Sequence, residues 1–171
     1  MTTLAELNAM SEADFVAALG DIFEHSPWVP QRAAAKRPFS SLDSLHGAMV
    51  DVMWAASEDE KLALLRAHPQ LAGREADAGT LTAHSTSEQD SVGLTRLTPE
   101  EKQRIVALNA AYLERHGFPF IIAVKLRTKS QIFAEFERRL ANDREKEFAT
   151  ALCEVGKIAR LRLEALPDMK E

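Results

Sequence analysis

The chain has 171 residues, with 46% apolar and 27% charged side chains and a net charge of −5 from 21 basic and 26 acidic residues. That is the composition of an ordinary folded domain, and it excludes a disordered chain, a collagen-like repeat or a coiled-coil rod. There are 7 basic and 14 acidic residues up to Leu97, then 14 and 12 from Thr98 on, so neither part has the basic excess that a nucleic-acid binder needs. Gly and Pro are scarce, at 7 each, and the good helix formers Ala, Leu, Glu and Arg dominate. Cys153 is the only cysteine, which excludes an internal disulfide and a cysteine-based zinc finger. No apolar run is long enough to span a membrane, and the N-terminal stretch has Glu6 and no basic region, unlike a secretory signal. An all-α, single-domain multi-helix bundle covering residues 1–171 is expected, in a reducing compartment.

In chain order, Ser11-Glu12-Ala13-Asp14 reads as a helix start, and Phe15, Ala18, Leu19, Ile22 and Phe23 continue at helical spacing. Pro27 and Pro30 break that run, leaving room for a short helix over 29–36. Ser41 caps the next helix, with Leu45, Ala48, Met49 and Val52 on its apolar side. Ser57-Glu58-Asp59-Glu60 forms a capping box, and that helix ends near His68-Pro69. From Gln70 to Leu97 the periodicity fades into turns and broken helices, with Ser87 a candidate cap and Glu88 in a first turn. A long irregular stretch inside a compact domain is more often functional than idle. Thr98-Pro99-Glu100-Glu101 then starts a helix that runs to His116, with Gly117 as its left-handed cap. Two more follow, from about Ser130 to Leu140 and from Asn142 or Asp143 to about Leu166.

Several positions do not fit a plain bundle. The apolar run over 117–125 contains Pro119, which holds Phe118 extended. Its backbone groups then need partners outside any helix, and an amide-like ligand is one candidate beside core packing. On the last helix, Phe148, Leu152, Val155, Ala159 and Leu166 form an apolar stripe whose remaining member is Arg162. A cation there holds an anion, pairs with a structural carboxylate or snorkels past the core edge. Arg160 points away from the stripe and is expected in solvent. Of the five histidines none has paired metal-ligand spacing; His68, followed by Pro69, sits at a helix end facing the irregular stretch. His116 is expected to be favoured, partly charged, at its helix C-terminus. Asn109 is expected to satisfy a neighbouring loop, and Cys153 to be an inert packing residue.

Taken in order, His68-Pro69-Gln70-Leu71-Ala72-Gly73, Ser87-Glu88-Gln89, Asn109-Ala110-Ala111-Tyr112, the run from Gly117 to Lys125 and the tail from Lys157 to Leu163 resemble one family. It is the 2-oxo-4-hydroxy-4-carboxy-5-ureidoimidazoline (OHCU) decarboxylases of urate breakdown, and the resemblance spans nearly the whole chain. It implies an all-α homodimer that converts OHCU to (S)-allantoin and carbon dioxide with no metal and no organic cofactor. It places the catalytic histidine at His68. Substrate contacts fall at Pro69, at Ser85, Thr86, Ser87, Glu88 and Gln89, at Phe120, Ile121, Ile122, Ala123 and Val124, and at Arg162. Gln70 and Leu126 depart from the family's usual residues without touching the chemistry.

The implied reaction needs a sink for the electron pair left by carbon dioxide, and a ring carbonyl of the substrate can take it as an enolate. An imidazole titrates near neutrality, so His68 is the candidate general acid/base, with Glu88 as the carboxylate that biases its protonation. Backbone groups of 120–124 read the ureido and ring amides, and Arg162 grips the carboxylate. Two rival readings are a helical interaction module with 118–125 as its groove, and a metal-dependent amide hydrolase. The C-terminal Pro167 to Glu171 has no Ser-Lys-Leu-type address, so a cytoplasmic location is expected.

Overall fold

Thr3, Ser41, Ser57, Thr98 and Thr128 each accept a hydrogen bond from the N–H three residues on, and the side chain there returns the bond. These capping boxes fix where half of the helices begin, each satisfying two otherwise unpaired backbone donors. The computed structural model describes residues 2–166 and Met169, so the remaining tail positions read for a targeting address lie outside the described residues. Among the described residues there is no β-strand, as expected of an all-α chain. The chain forms two compact units, 1–67 with 156–171, and 68–155.

The first unit holds α1 (Leu4–Ala9), α2 (Glu12–Leu19), α3 (Trp28–Ala33), α4 (Leu42–Ala55) and α5 (Glu58–Arg66). It also takes the part of α10 (Arg144–Ala165) from Gly156 onward. α3 packs on both α2 and α4. Phe15, Leu19, Val29, Leu45 and Met49 are fully buried between them, each such side chain contributing about 1.5–3 kcal/mol of hydrophobic stabilisation. α2 stops at Leu19, earlier than the spacing suggests. Ile22 and Phe23 are still buried, but from a turn rather than a helix.

The second unit holds α6 (Arg74–Asp77), α7 (Ala83–Ser91), α8 (Pro99–His116), α9 (Lys129–Leu140) and α10 up to Val155. α8 and α9 pack together. α8 ends where Gly117 takes φ +80°, a left-handed conformation that costs glycine nothing and other residues roughly 1–2 kcal/mol. Beyond it, residues 118–123 form no helix, as Pro119 demands, and Val124–Leu126 is one 3₁₀ turn. Phe118 and Phe120 are buried against Tyr112, edge to face, and Phe120 stacks on Phe136 with centroids 3.9 Å apart.

Three local expectations need correcting. α7 is capped by Thr82, whose hydroxyl accepts from the Ser85 N–H, so Ser87 and Glu88 sit mid-helix rather than at a start. Arg160 is not left to solvent: it bridges Asp43 and Glu164. Cys153 is exposed, not packed.

Candidate active site

His68 and Pro69 follow directly on α5, which ends at Arg66 with Ala67 as its cap. The His68 side chain is buried, at 8% exposure. The turn after it is held at successive backbone groups by three side chains of its own unit. Gln89 Oε1 accepts from the Ala72 N–H at 2.9 Å, Asn109 Nδ2 donates to the Leu71 carbonyl at 2.9 Å, and Lys102 Nζ donates to the Ala72 carbonyl at 2.5 Å. Ala72 needs such holding, because its φ of +47° is unusual for a residue with a Cβ. Asn109 therefore does serve a neighbouring loop. Lys102 in turn pairs with Asp77 at 2.8 Å.

α7 supplies the residues after Ser85. Ser85 and Gln89, one turn apart, are buried, and Glu88 between them is half-buried. Thr86 and Ser87 face solvent, and Thr86 donates back to the Thr82 carbonyl. The expected stretch of five thus presents Ser85, Glu88 and Gln89 on one side. Gln89 Oε1 is committed to the His68 turn, while its Nε2 reaches the Gln70 carbonyl only at 3.5 Å, a weak contact.

The same helix packs on the Val124–Leu126 turn, which ends the apolar segment. Phe120, Ile121, Ile122, Ala123 and Val124 are all at least 96% buried. Four backbone groups in this stretch have protein partners. Arg139 Nη1 donates to the Ile121 carbonyl at 2.7 Å, and Glu154 Oε1 accepts from the Ala123 N–H at 3.4 Å. The Ala123 and Val124 carbonyls accept from the Leu126 and Arg127 N–H groups. The N–H and C=O of Ile122 have no hydrogen-bond partner among the described residues. Buried backbone groups are paired in over 90% of cases, so an unpaired donor and acceptor on one residue are an exception to the rule.

Behind the segment lies a polar network that sequence reasoning missed. Arg139 is 1% exposed and Glu147 fully buried, and they pair at 2.9 Å. Tyr112 Oη donates to Glu147 Oε2 at 2.6 Å, and Asn142 Nδ2 to Oε1 at 2.8 Å. Burial, then the hydrogen bond to Glu147, pushes the Tyr112 hydroxyl pKa up, so it stays a donor. The sequence does carry a signal for it: Ile132, Phe136 and Arg139 share an apolar stripe on α9, the same kind of interruption that Arg162 makes on the last helix. His116, on the aromatic cluster, is buried beside Tyr112 and Phe118, and its pKa is lowered, chiefly by desolvation. The expected partial charge at the helix end gives way to burial.

In the first unit, Arg162 is 3% exposed. Its Nη1 lies 2.8 Å from Glu24 Oε2 and donates to the Asp21 carbonyl at 3.0 Å. Among the described residues no three His, Cys, Asp or Glu side chains cluster as metal ligands.

The OHCU decarboxylase family model matches residues 8–164. A 2-oxo-4-hydroxy-4-carboxy-5-ureidoimidazoline decarboxylase of Haloferax volcanii is 45% identical over 161 residues, covering 94% of each chain. The chain belongs to the OHCU decarboxylase family. The reaction that names this family is a decarboxylation, and the members are carboxy-lyases of urate degradation. Two solved structures agree with the helical fold. An (S)-allantoin synthase superposes with TM-score 0.77 at 32% identity, over 96% of this chain and 54% of its own. An OHCU decarboxylase crystallised in the presence of (S)-allantoin gives TM-score 0.68 at 21% identity, over 90% of this chain and 95% of its own. The chain also matches a uric acid degradation bifunctional protein of Bacillus sp. at 40% identity, spanning 97% of itself but only 32% of that protein. Among the described residues no helix is long and apolar enough to cross a membrane.

Proposed function

We propose that this member of the OHCU decarboxylase family converts 2-oxo-4-hydroxy-4-carboxy-5-ureidoimidazoline to (S)-allantoin and carbon dioxide, with His68 as general acid/base. The observation that supports this most is the joining of three sequence motifs within one unit. The buried His68 turn is tied to α7 through Gln89, and α7 packs on the end of the 120–124 segment. Loss of carbon dioxide leaves an electron pair that the unsaturated ring of the substrate can absorb, so the protein has to orient, stabilise and move one proton. His68 takes a proton from the substrate hydroxyl as carbon dioxide leaves and returns one to the ring carbon from a single side, giving one enantiomer. Glu88, on the same side of α7 as Gln89, accepts from substrate N–H groups and favours the protonated imidazole. The unpaired N–H and C=O of Ile122 are a donor and acceptor matched to an amide edge of the ureido group or ring.

The resemblance adds Arg162 as the cation for the substrate carboxylate, and also a homodimer and a cytoplasmic location. Sedimentation equilibrium tests the dimer. For the chemistry, fresh OHCU is made from urate with urate oxidase and hydroxyisourate hydrolase, and the (S)-allantoin signal is followed by circular dichroism. The wild-type chain accelerates that signal. His68→Asn loses about 10²–10⁴ in rate while still binding (S)-allantoin. Undiminished turnover in His68→Asn removes the histidine from the mechanism.

A further inference from the structure

Two buried charged residues grip the peptide groups on either side of Ile122. Arg139 Nη1 donates firmly to the carbonyl of Ile121 at 2.7 Å, and Glu154 Oε1 accepts more loosely from the N–H of Ala123 at 3.4 Å. Because a peptide group is planar and trans, the Ile121 carbonyl and the Ile122 N–H lie in one plane and point in opposite directions. The same holds for the Ala123 N–H and the Ile122 carbonyl. Whatever fixes Ile121 C=O therefore aims Ile122 N–H, and whatever fixes Ala123 N–H aims Ile122 C=O.

The cost of this arrangement argues for a purpose. Burying an arginine is expensive, and buried ion pairs are often replaceable by apolar side chains without loss of stability. Arg139 is nevertheless held on three sides of its role: by the Glu147 carboxylate, by the face of Phe120 at 4.4 Å and by the Ile121 carbonyl. Glu147 is itself braced by Tyr112 and Asn142. Glu154 is 3% exposed and lies 3.6 Å from Arg127. An apolar replacement would fill the space but leave the two peptide planes free to rotate.

We propose that Arg139 and Glu154 are positioning residues for the decarboxylation, setting the backbone donor and acceptor of Ile122 against the amide edge of the substrate. This rests on the reading of segment 120–124 as a substrate contact. Neither side chain touches substrate; each acts through a peptide group.

The test compares Arg139→Met, Arg139→Lys and Glu154→Leu with Arg138→Ala, which removes an exposed ion pair to Glu135 from the same helix without touching the segment or Glu147. Two readouts are taken on the full chain: steady-state decarboxylation of OHCU, and amide hydrogen exchange at Ile122. Arg139→Lys keeps the charge beside Glu147 but lacks the planar fork that reaches two acceptors, so it remains informative should Arg139→Met fail to fold. Expected are an exchange rate raised about tenfold or more at Ile122 and a fall of roughly 10²-fold in kcat/KM for Arg139→Met, carried largely by KM. Arg139→Lys and Glu154→Leu fall in the same direction, and Arg138→Ala stays within about threefold on both readouts. Unchanged exchange at Ile122 in the Arg139 variants overturns the positioning role, as does an Arg138→Ala variant equally impaired. Faster exchange with undiminished turnover overturns instead the substrate role of the segment, and the bearing of Arg139 on the reaction with it.

Discussion

Replacing Gln89 by leucine separates the role that the resemblance gives this side chain from the one that the structure gives it. The resemblance makes Gln89 a substrate contact, whereas in the structure its Oε1 closes the turn after His68 by accepting from the Ala72 N–H at 2.9 Å. Leucine has similar bulk, so little cavity is left, and the cost comes from stranding a buried N–H on a residue that is 3% exposed. An unsatisfied buried donor costs about 1–3 kcal/mol, and the 3.5 Å contact to the Gln70 carbonyl adds little. At about 2–4 °C per kcal/mol for a chain of this size, the expected fall in Tm is roughly 2–12 °C. Turnover falls as well, because His68 sits at the start of the loosened turn, and a misplacement of about 1 Å can cost 10²-fold. Thermal unfolding by circular dichroism and the allantoin assay are run on the same samples. A Gln89→Leu chain that keeps its Tm but loses turnover refutes the reasoning: the amide would then serve the substrate and not the turn.

Three further outcomes follow from named contacts. His116 has its pKa lowered in the fold from an ordinary value near 6.5, so the unfolded chain binds the extra proton first. Its stabilising contribution is complete above that value and is lost as pH falls through the lowered one; the Tm of His116→Phe should depend less on pH in that window. Arg162→Met takes the guanidinium away from the buried Glu24 carboxylate 2.8 Å from it, and breaking a buried pair in this way costs about 3–5 kcal/mol in typical cases, which shows in urea unfolding. If Arg162 also holds the substrate carboxylate, that variant binds the anionic substrate worse but neutral (S)-allantoin nearly as well. Thr98→Ala removes one half of the box that starts α8 and should cost about 1 kcal/mol; no change in Tm would mean that the helix start is held from elsewhere.

What could be read in the sequence was what is local. Ser57, Thr98 and Gly117 fix helix ends through bonds to their own neighbours, so a few residues suffice to locate them. Thr82 does the same for α7, but inside a stretch without apolar periodicity it has no stripe to announce, and Ser87 drew the reading instead. Ile22 and Phe23 keep helical spacing because both are buried, although the chain has already turned; spacing reports burial, not backbone geometry. The family was legible through the order of its motifs along the chain, from His68 through Glu88 to 120–124. Arg139 with Glu147 was not, since the partners come from different helices and only packing brings Tyr112, Asn142 and Ile121 to them. The burial of His116 was hidden for the same reason: proximity to a helix end is visible in sequence, and the desolvation that outweighs it is not.

The single tyrosine of the chain is Tyr112, at the centre of the aromatic cluster behind segment 120–124. The two tryptophans, Trp28 and Trp54, both belong to the other compact unit. The molecule thus carries two optical labels that do not overlap in location. Indole fluorescence follows residues 1–67 with 156–171, and phenol absorbance follows 68–155. Denaturant curves recorded with the two signals coincide when the units unfold as one cooperative body and part when they do not. No foreign dye is needed. The raised pKa of the phenol keeps that second signal free of tyrosinate well into alkaline solution while the chain stays folded, so a tyrosinate band rising at ordinary phenolic pH reports loss of structure around the proposed site.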